Sequence, residues 1–214
     1  MKYVGALFLM LVTFFSFSQR KPSYLQLGVS ANSYNGELGS YSDWSAGFQG
    51  SIIFNKKKKL NGAFNFGLGS ITGEDGNFGF RENTNDPAPN TFVNTHFLFL
   101  NYDLRFNLVK KQNWGLYLSQ GIGFIRFTPE DEFGEGLETQ DQTREPGETY
   151  RNLAVMLPTS LGAMYFLPND FGVSLQLGLF NTGTDYIDNI SELGESGNDN
   201  ILSMRLALLV PLKD

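Results

Sequence analysis

The feature that most constrains this chain is the alternation of bulky apolar and small polar residues in one segment after another. In residues 171–178, Phe171, Val173, Leu175 and Leu177 share one parity, while glycine, serine and glutamine fill the other. Successive side chains of a β-strand point to opposite faces of its sheet, so the pattern predicts a strand with one apolar face. The polar parity is small and almost uncharged, whereas a soluble sheet would present lysine and glutamate to water. This combination is typical of a narrow barrel whose outside meets lipid.

Eight segments with this alternation follow one another along the chain. They are predicted at about residues 24–32, 43–54, 60–72, 92–108, 114–127, 150–167, 171–178 and 201–212. Pro158 and Pro211 fall inside two of them, and because proline donates no ladder hydrogen bond, a bulge or a strand end is expected at each. The sequence therefore predicts an all-β fold, an eight-stranded antiparallel up-and-down transmembrane β-barrel.

The connections between these segments alternate in length. Short turns are predicted at 55–59, 109–113 and 168–170, and longer loops at 33–42, 73–91, 129–149 and 184–200. Outer-membrane barrels have short periplasmic turns and long extracellular loops. The same layout places both ends of the mature chain on the periplasmic side.

Charge divides the chain in the same way. The long loop 129–149 carries eight carboxylates and one arginine, whereas every lysine of the mature chain lies at the predicted periplasmic end: Lys21, Lys56, Lys57, Lys58, Lys59, Lys110, Lys111 and Lys213. An acidic outer end argues against nucleic acid as a partner. It suits divalent cations that bridge anionic surface glycolipid, but plain solvation of the loops is the simpler interpretation.

The N-terminus has the layout of a secretory signal. Lys2 precedes an apolar stretch from Val4 to Phe15, and small residues at Ser16 and Ser18 predict cleavage before Gln19. The predicted organisation is a signal peptide at 1–18 and an outer-membrane barrel at 19–214. The apolar stretch is shorter than the roughly 20 residues of a spanning helix. The chain has no cysteine, which excludes disulfides, thiolate metal sites and cysteine nucleophiles.

The main structural alternative is a soluble eight-stranded barrel of the lipocalin type. Such a barrel has apolar residues inside and charged residues outside. Here the polar parity carries few charges, and the apolar parity places aromatic residues near strand ends, as an interfacial girdle requires. These girdle residues are Trp44, Phe54, Trp114, Tyr165 and Phe171.

Three charged residues within strands share the predicted lumen face: Asp103, Arg105 and Arg205. An eight-stranded barrel is just wide enough for its interior side chains to fill it. Buried charges need partners, so these three are predicted to form a salt-bridge cluster that closes the interior. A narrow selective pore is the functional alternative.

Few residues have the chemistry of an active site or a metal site. His96 is the single histidine, and its parity places it on the lipid side near the outer rim, so a hydrolase built on it would need a partner there. Asp185, Asp188 and Asn189 could bind calcium, but their spacing differs from the usual calcium loop. We interpret their segment as an ordered loop that closes the barrel rim, and we predict no cofactor and no catalytic residue.

Two stretches resemble a known family of barrels. Residues 27–39, Leu-Gly-Val-Ser-Ala-Asn-Ser-Tyr-Asn-Gly-Glu-Leu-Gly, and residues 171–191, which end in Thr-Asp-Tyr-Ile-Asp-Asn-Ile-Ser, are similar to stretches of small outer-membrane barrels from the Bacteroidetes. This group includes PorG of the type IX secretion and gliding machinery. The chain departs from the pattern in having Glu37 where aspartate is usual and in ending without a terminal aromatic residue. The resemblance implies a non-enzymatic outer-membrane anchor that contacts periplasmic partners of a secretion or gliding complex.

Three functional hypotheses follow. The first is an interaction component of an envelope complex, with the turn Lys56, Lys57, Lys58 and Lys59 as a docking point for an acidic periplasmic partner or simply a solvated turn. The second is a small channel or carrier for apolar solutes, as in OmpW-like barrels. The third is a barrel-rim hydrolase or acyltransferase that uses His96. Besides periplasmic proteins, the predicted partners are outer-membrane lipid and glycolipid.

Overall fold

Eight long β-strands make up most of the protein. The computed structural model describes residues 22–56, 58–77, 79–80, 83–87, 90–140, 143, 149–191 and 197–212. The predicted signal peptide lies outside these residues and stays a prediction. The barrel strands are β1 (Pro22–Gly36), β2 (Ser45–Phe54), β3 (Leu60–Glu74), β4 (Phe92–Lys110), β5 (Trp114–Glu130), β6 (Leu153–Phe166), β7 (Gly172–Thr182) and β8 (Asn200–Pro211). The predicted eight alternating strands are confirmed.

The sheet closes on itself into a barrel. Each strand pairs antiparallel with its neighbours in the chain, and β1 also pairs with β8 from Tyr24↔Pro211 to Asn35↔Asn200. Closure gives every barrel strand a partner on both sides. This suits a membrane, because lipid cannot form hydrogen bonds with the backbone groups of an open sheet edge. The short connections lie at one end of the barrel and the long ones at the other, as predicted.

Several strands run further than the alternation predicted. β1 continues to Gly36 instead of giving way to a loop at residue 33, and the two-residue strand Gly39–Ser40 folds back onto its end. In the long loop between β3 and β4, Gly79–Phe80 pairs with Asn83–Pro87. Backbone pairing continues here beyond the last alternating residue, so the side-chain pattern underestimates the strands.

The two strand prolines behave differently. Pro211 is the last residue of β8, which confirms the predicted strand end. Pro158 produces no bulge, because the register between β6 and β7 runs unbroken through Pro158↔Phe180. On its other side, pairing with β5 stops between Thr159 and Met156 and resumes in the same register. The missing N–H of proline is therefore absorbed by one short gap in a single ladder.

The outside of the barrel is an apolar belt. Residues of one parity are exposed on every strand, and they include Val29, Phe48, Phe66, Leu68, Leu98, Leu100, Leu118, Ile122, Phe124, Leu161, Leu175, Leu177, Leu206 and Leu208. Trp44 and Trp114 remain exposed near opposite ends of the barrel. A continuous apolar surface of this size suits lipid and not water, so the lipocalin alternative fails. Among the described residues, helical structure is limited to the 3₁₀ turn Leu137–Thr139, and no helix there is long and apolar enough to cross a membrane.

The lumen is layered, not uniformly polar. At the extracellular end lies a mouth cluster of buried apolar residues, among them Tyr34, Phe97, Phe99, Ile125, Phe127, Met156, Phe180, Ile187 and Ile190. At the periplasmic end lies a floor cluster made of Tyr24, Ile53, Ala63, Tyr117, Met164, Phe166 and Leu209. Between them the inward residues are polar. The expectation of a lumen lined by small polar residues thus holds only for the middle layer and is wrong at both ends.

Candidate functional site

The middle of the lumen is a hydrogen-bonded layer around Arg205. The guanidinium donates to Ser51 Oγ at 2.8 Å and to Gln26 Oε1 at 3.3 Å, and also to Gln176 Oε1. Tyr117 donates its hydroxyl to the same Gln176 oxygen at 2.8 Å. Arg205 is 2% exposed, so these neutral oxygens replace the water that its charge has lost. We call this set, together with Asp103, Arg105 and their neighbours, the polar layer.

Asp103 and Arg105 occupy the same layer on β4. Asp103 accepts hydrogen bonds from Asn101 Nδ2 and from Ser119 Oγ, the latter at 3.4 Å. Arg105 donates to Asn65 Oδ1 at 3.5 Å, and its guanidinium carbon lies 4.7 Å from the centre of the Tyr117 ring.

The structure therefore brings the three predicted lumen charges together, but neutral groups separate them. Among the described residues, no carboxylate oxygen of Asp103 lies within 4.0 Å of a nitrogen of Arg105 or Arg205. The polar layer is a network of amide, hydroxyl and guanidinium groups and not a direct salt-bridge cluster.

The lumen is filled at this level. The space left among Asp103, Pro158, Gln176 and Arg205 admits about one water molecule. The mouth cluster covers this layer from above and the floor cluster covers it from below. The arrangement can hold the strands in register, and at this level the described residues leave no space for a solute larger than water.

Lys56 lies against the floor of the barrel. Its ammonium group is 3.3 Å from the centre of the Phe166 ring and 4.4 Å from that of Tyr24, and it donates to the Tyr24 hydroxyl at 2.9 Å. Lys59 Nζ lies 5.0 Å from the Phe106 ring on the outer side of the barrel. Lys58 is exposed and Lys57 lies outside the described residues. Of the four lysines suggested for docking, Lys58 and Lys59 have exposed side chains, whereas Lys56 packs against the floor.

The loop between β7 and β8 folds into the extracellular mouth. Ile187 and Ile190 are fully buried in the mouth cluster. Thr95 donates its hydroxyl to the carbonyl of Ile187, and Thr143 donates to the carbonyl of Asn189, both at 2.5 Å. The segment is the ordered, rim-closing loop that the sequence indicated. We call residues 183–191 the mouth loop.

A buried acidic cluster lies where the mouth loop meets the seam between β1 and β8. Glu37, Asp188 and Asp199 have carboxylate oxygens that all lie within 4.8 Å of one another. Asp188 accepts hydrogen bonds from the Tyr34 hydroxyl and from the backbone N–H of Ile190, the latter at 2.8 Å. We call these three carboxylates the acidic cluster.

Only one carboxylate oxygen of Asp199 accepts a hydrogen bond. Its Oδ2 accepts the backbone N–H of Ile187 at 2.8 Å. Its Oδ1 is buried and has no hydrogen-bond partner, and the same is true of Glu37 Oε2.

Burial and mutual repulsion make these carboxylates hard to ionise together. Burial, then the charges of Asp188 and Asp185, raises the pKa of Glu37 to about 9. Burial raises the pKa of Asp188 to about 6 despite its hydrogen bonds from Tyr34 and Ile190. Burial, followed by the charges of Asp188 and Glu37, raises the pKa of Asp199 well above its usual range. The cluster needs either protons or a positive charge to be stable at neutral pH.

His96 lies on the outer surface, as its parity predicted. Its Nε2 is 3.6 Å from Glu130 Oε2, and 56% of its side chain is exposed. Ser70 and Thr128 are its partners in the neighbouring strands, yet among the described residues neither hydroxyl forms a hydrogen bond with His96. A serine hydrolase would require that contact to activate the nucleophile.

Sequence reasoning found the polar layer but missed the acidic cluster. The lumen charges follow from parity within strands. Glu37, Asp188 and Asp199 lie outside the alternating segments, and only the barrel closure between β1 and β8 brings the first and last of them together. The available signal was the pair of stretches that carry the family resemblance, because residues 27–39 contribute Tyr34 and Glu37, and residues 171–191 contribute Asp188.

No protein-family model matches the sequence, and no curated protein matches it. The crystal structure of the neisserial surface protein NspA matches with a TM-score of 0.60 and 10% identity, over 91% of this chain and 100% of that one. The attachment invasion locus protein Ail of Yersinia pestis, in complex with the heparin analogue sucrose octasulfate, matches with a TM-score of 0.52 and 10% identity over the same shares. The chain has the fold of these small outer-membrane β-barrels. At this identity the likeness concerns the fold alone, so the function has to be argued from the barrel's own residues.

Proposed function

We propose that this barrel is a non-enzymatic membrane anchor that serves as an interaction component of an envelope complex. The observation that carries the proposal is the filled lumen. Because the mouth cluster, the polar layer and the floor cluster occupy the interior, the two ends of the barrel are the surfaces available for binding a partner. Among the described residues, the arrangement around His96 lacks the hydrogen bond of an activated nucleophile.

The periplasmic end is the better candidate for a protein partner. Lys58 and Lys59 extend from the turn between β2 and β3, and Lys110 and Lys111 lie at the turn between β4 and β5. These four lysines form a basic rim. Such a rim favours an acidic partner and accelerates its association by electrostatic steering.

The resemblance of residues 27–39 and 171–191 to small Bacteroidetes barrels makes type IX secretion or gliding machinery the candidate complex. In this proposal the barrel supplies a rigid outer-membrane support, and the basic rim contacts a periplasmic subunit. The chemistry of the rim supports an acidic protein surface as the partner, whichever complex it belongs to.

The extracellular end does not suit a polyanion. Ail was crystallised with the heparin analogue sucrose octasulfate, and such a ligand requires a basic surface. The loop 129–149 of this chain carries eight carboxylates against one arginine. Like charges would repel the sulfates, so we do not transfer heparin-like recognition to this protein.

Crosslinking in native membranes followed by purification tests the proposal. The double variant Lys58→Glu/Lys59→Glu should lose an acidic periplasmic partner that the unmodified barrel recovers. A second double variant, Lys110→Glu/Lys111→Glu, makes the same charge change at the other turn of the basic rim. Loss in the first variant alone supports the turn between β2 and β3 as the docking point, and loss in both supports the whole basic rim. Equal recovery from all three proteins, or no partner at all, contradicts the proposal.

Planar-bilayer recording separates the anchor from the OmpW-like alternative. A barrel filled by the polar layer and two apolar clusters should show no steady conductance. Reproducible single-channel steps from the purified protein would favour a channel and would overturn the anchor proposal.

A further inference from the structure

We propose that Glu37, Asp188 and Asp199 bind one divalent cation, calcium in the extracellular medium, which ties the mouth loop to the seam where β1 meets β8. Nothing in this inference depends on the anchor function. It concerns a site at the opposite end of the barrel from the basic rim.

The ligand set is that of a hard cation. Calcium takes six to eight oxygen ligands at about 2.3–2.6 Å, so two oxygens on opposite sides of the ion lie about 5 Å apart. The carboxylate oxygens of the acidic cluster lie within 4.8 Å of one another. All three can therefore reach one ion without a change of backbone.

An unsatisfied buried oxygen points into the cluster. Asp199 is completely buried, and its Oδ1 has no hydrogen-bond partner. A Cβ placed on Gly36 would lie 2.0 Å from this oxygen and 2.0 Å from the Tyr34 hydroxyl, so the two atoms are at most twice that distance apart. Because Tyr34 donates to Asp188, Asp199 Oδ1 faces the same space as the Asp188 carboxylate.

The surroundings supply no competing positive charge. Within the described residues, no lysine or arginine nitrogen lies within 4.0 Å of the three carboxylates. Uncompensated buried carboxylates repel one another and have lost their hydration, so they are destabilising unless protons or a cation neutralise them. A Ca²⁺ ion would satisfy Asp199 Oδ1 and Glu37 Oε2 together.

Three separate segments would share the ion. Glu37 follows the end of β1, Asp199 directly precedes β8, and Asp188 is held in the mouth loop by Tyr34 and by the backbone of Ile190. Binding would therefore fasten the loop to the seam of the barrel. Extracellular calcium modules work in the range of about 0.1–1 mM, which matches a site that faces the outside of the cell.

The test uses the full mature chain, folded in detergent and stripped of metal by a chelator. Isothermal calorimetry with CaCl₂ should show one site, and 5 mM Ca²⁺ should raise the midpoint of thermal unfolding. Asp199→Asn should abolish both effects, because it removes one of the three charged ligands. The variant should still fold, since its amide oxygen can keep the bond from Ile187 and its amide nitrogen can donate to the neighbouring carboxylates. Glu132→Gln, which removes an exposed carboxylate from another extracellular loop, should behave like the parent protein. MgCl₂ serves as the comparison cation.

Each other outcome counts against the proposal. No binding heat and no change in the midpoint with folded parent protein would overturn it, as would Ca²⁺ binding that survives both Asp199→Asn and Glu37→Gln. Stability that varies with pH but never with Ca²⁺ would mean that shared protons hold the cluster together. If Asp199→Asn fails to fold, Glu37→Gln alone gives a second route, because Glu37 Oε2 is likewise buried without a hydrogen-bond partner and its loss should also abolish Ca²⁺ binding.

Discussion

Arg205 on the last strand donates a hydrogen bond to Ser51 on the second strand at 2.8 Å, so one guanidinium spans β8 and β2 across the intervening β1. The same group reaches Gln26 on β1 and Gln176 on β7. A single side chain thereby connects four consecutive strands around the closing seam of the barrel. The polar layer fixes the relative positions of strands that come from opposite ends of the chain.

We expect Arg205→Met to destabilise the barrel strongly. The substitution keeps much of the volume but leaves Gln26, Ser51 and Gln176 without their charged donor. Losing several buried hydrogen bonds to one charge should lower the free energy of unfolding by about 3 kcal/mol. Urea titration in lipid vesicles measures it. Arg126→Met, on the exposed outer face of β5, is the control and should change it little.

Gly162 provides the space for the Tyr117 ring. A Cβ at this position would lie 2.2 Å from the Tyr117 ring carbon that bears the hydroxyl. Gly162→Ala should therefore displace the ring and weaken its contacts with Arg105 and Gln176, at a cost of about 1–3 kcal/mol. Gly76→Ala meets open space in a loop and should leave the urea midpoint unchanged. Equal midpoints for both variants would contradict this account of the floor.

Leu206 lies in the middle of the apolar belt, and Leu60 lies at the periplasmic end of β3. Both are more than half exposed. Arginine at the bilayer midplane costs about 2–4 kcal/mol and near the interface about 0–1 kcal/mol. Leu206→Arg should therefore destabilise the barrel in vesicles far more than Leu60→Arg. Equal losses of stability would contradict the placement of Leu206 near the bilayer midplane and of Leu60 near the interface.

Without divalent cations, the acidic cluster should make stability fall as pH rises. Folding raises the pKa of Glu37 to about 9 and of Asp188 to about 6 from ordinary values of 4.5 and 3.8. The folded state therefore binds more protons than the unfolded state between about pH 4 and 9, and stability decreases across that window. The charge of Asp185 adds to the effect on Glu37, whereas the hydrogen bond from Tyr34 lowers the pKa of Asp188 and opposes it.

Urea midpoints at pH 5, 7 and 9 in chelator measure this slope. Asp199→Asn should flatten it, because one carboxylate fewer has to share the buried space. A slope equal to that of the parent protein would place the titrating groups elsewhere.

Parity predicted the barrel well because lipid imposes one simple rule on every strand. The outward residues Leu175 and Leu206, and the inward Asp103 and Arg205, all lie where alternation placed them. Parity could not predict the layering of the lumen, since Phe97 and Phe99 share a face with Asp103. These apolar side chains form a cluster only with residues of other strands at the same depth in the barrel, and the pattern within one strand does not specify those neighbours.

The sequence pattern does not predict the acidic cluster, for a different reason. Glu37 and Asp199 are 162 positions apart and meet only because β1 pairs with β8. The sequence indicates Asp188 as a candidate oxygen ligand, but its pattern groups Asp188 only with the chain neighbours Asp185 and Asn189. In the turn of four lysines, residues that are alike in sequence differ in environment. Lys56 is identical to its chain neighbours, yet its ammonium group packs against the rings of Tyr24 and Phe166.

The measurement that tests the central claim most directly is the state of the purified mature chain with and without amphiphile. The apolar belt predicts that it folds to a β-sheet monomer in detergent or lipid vesicles and that brominated lipids quench the fluorescence of Trp44 and Trp114. In buffer without detergent it should aggregate. A folded monomer in that buffer, with tryptophans untouched by the lipid quencher, would contradict the account.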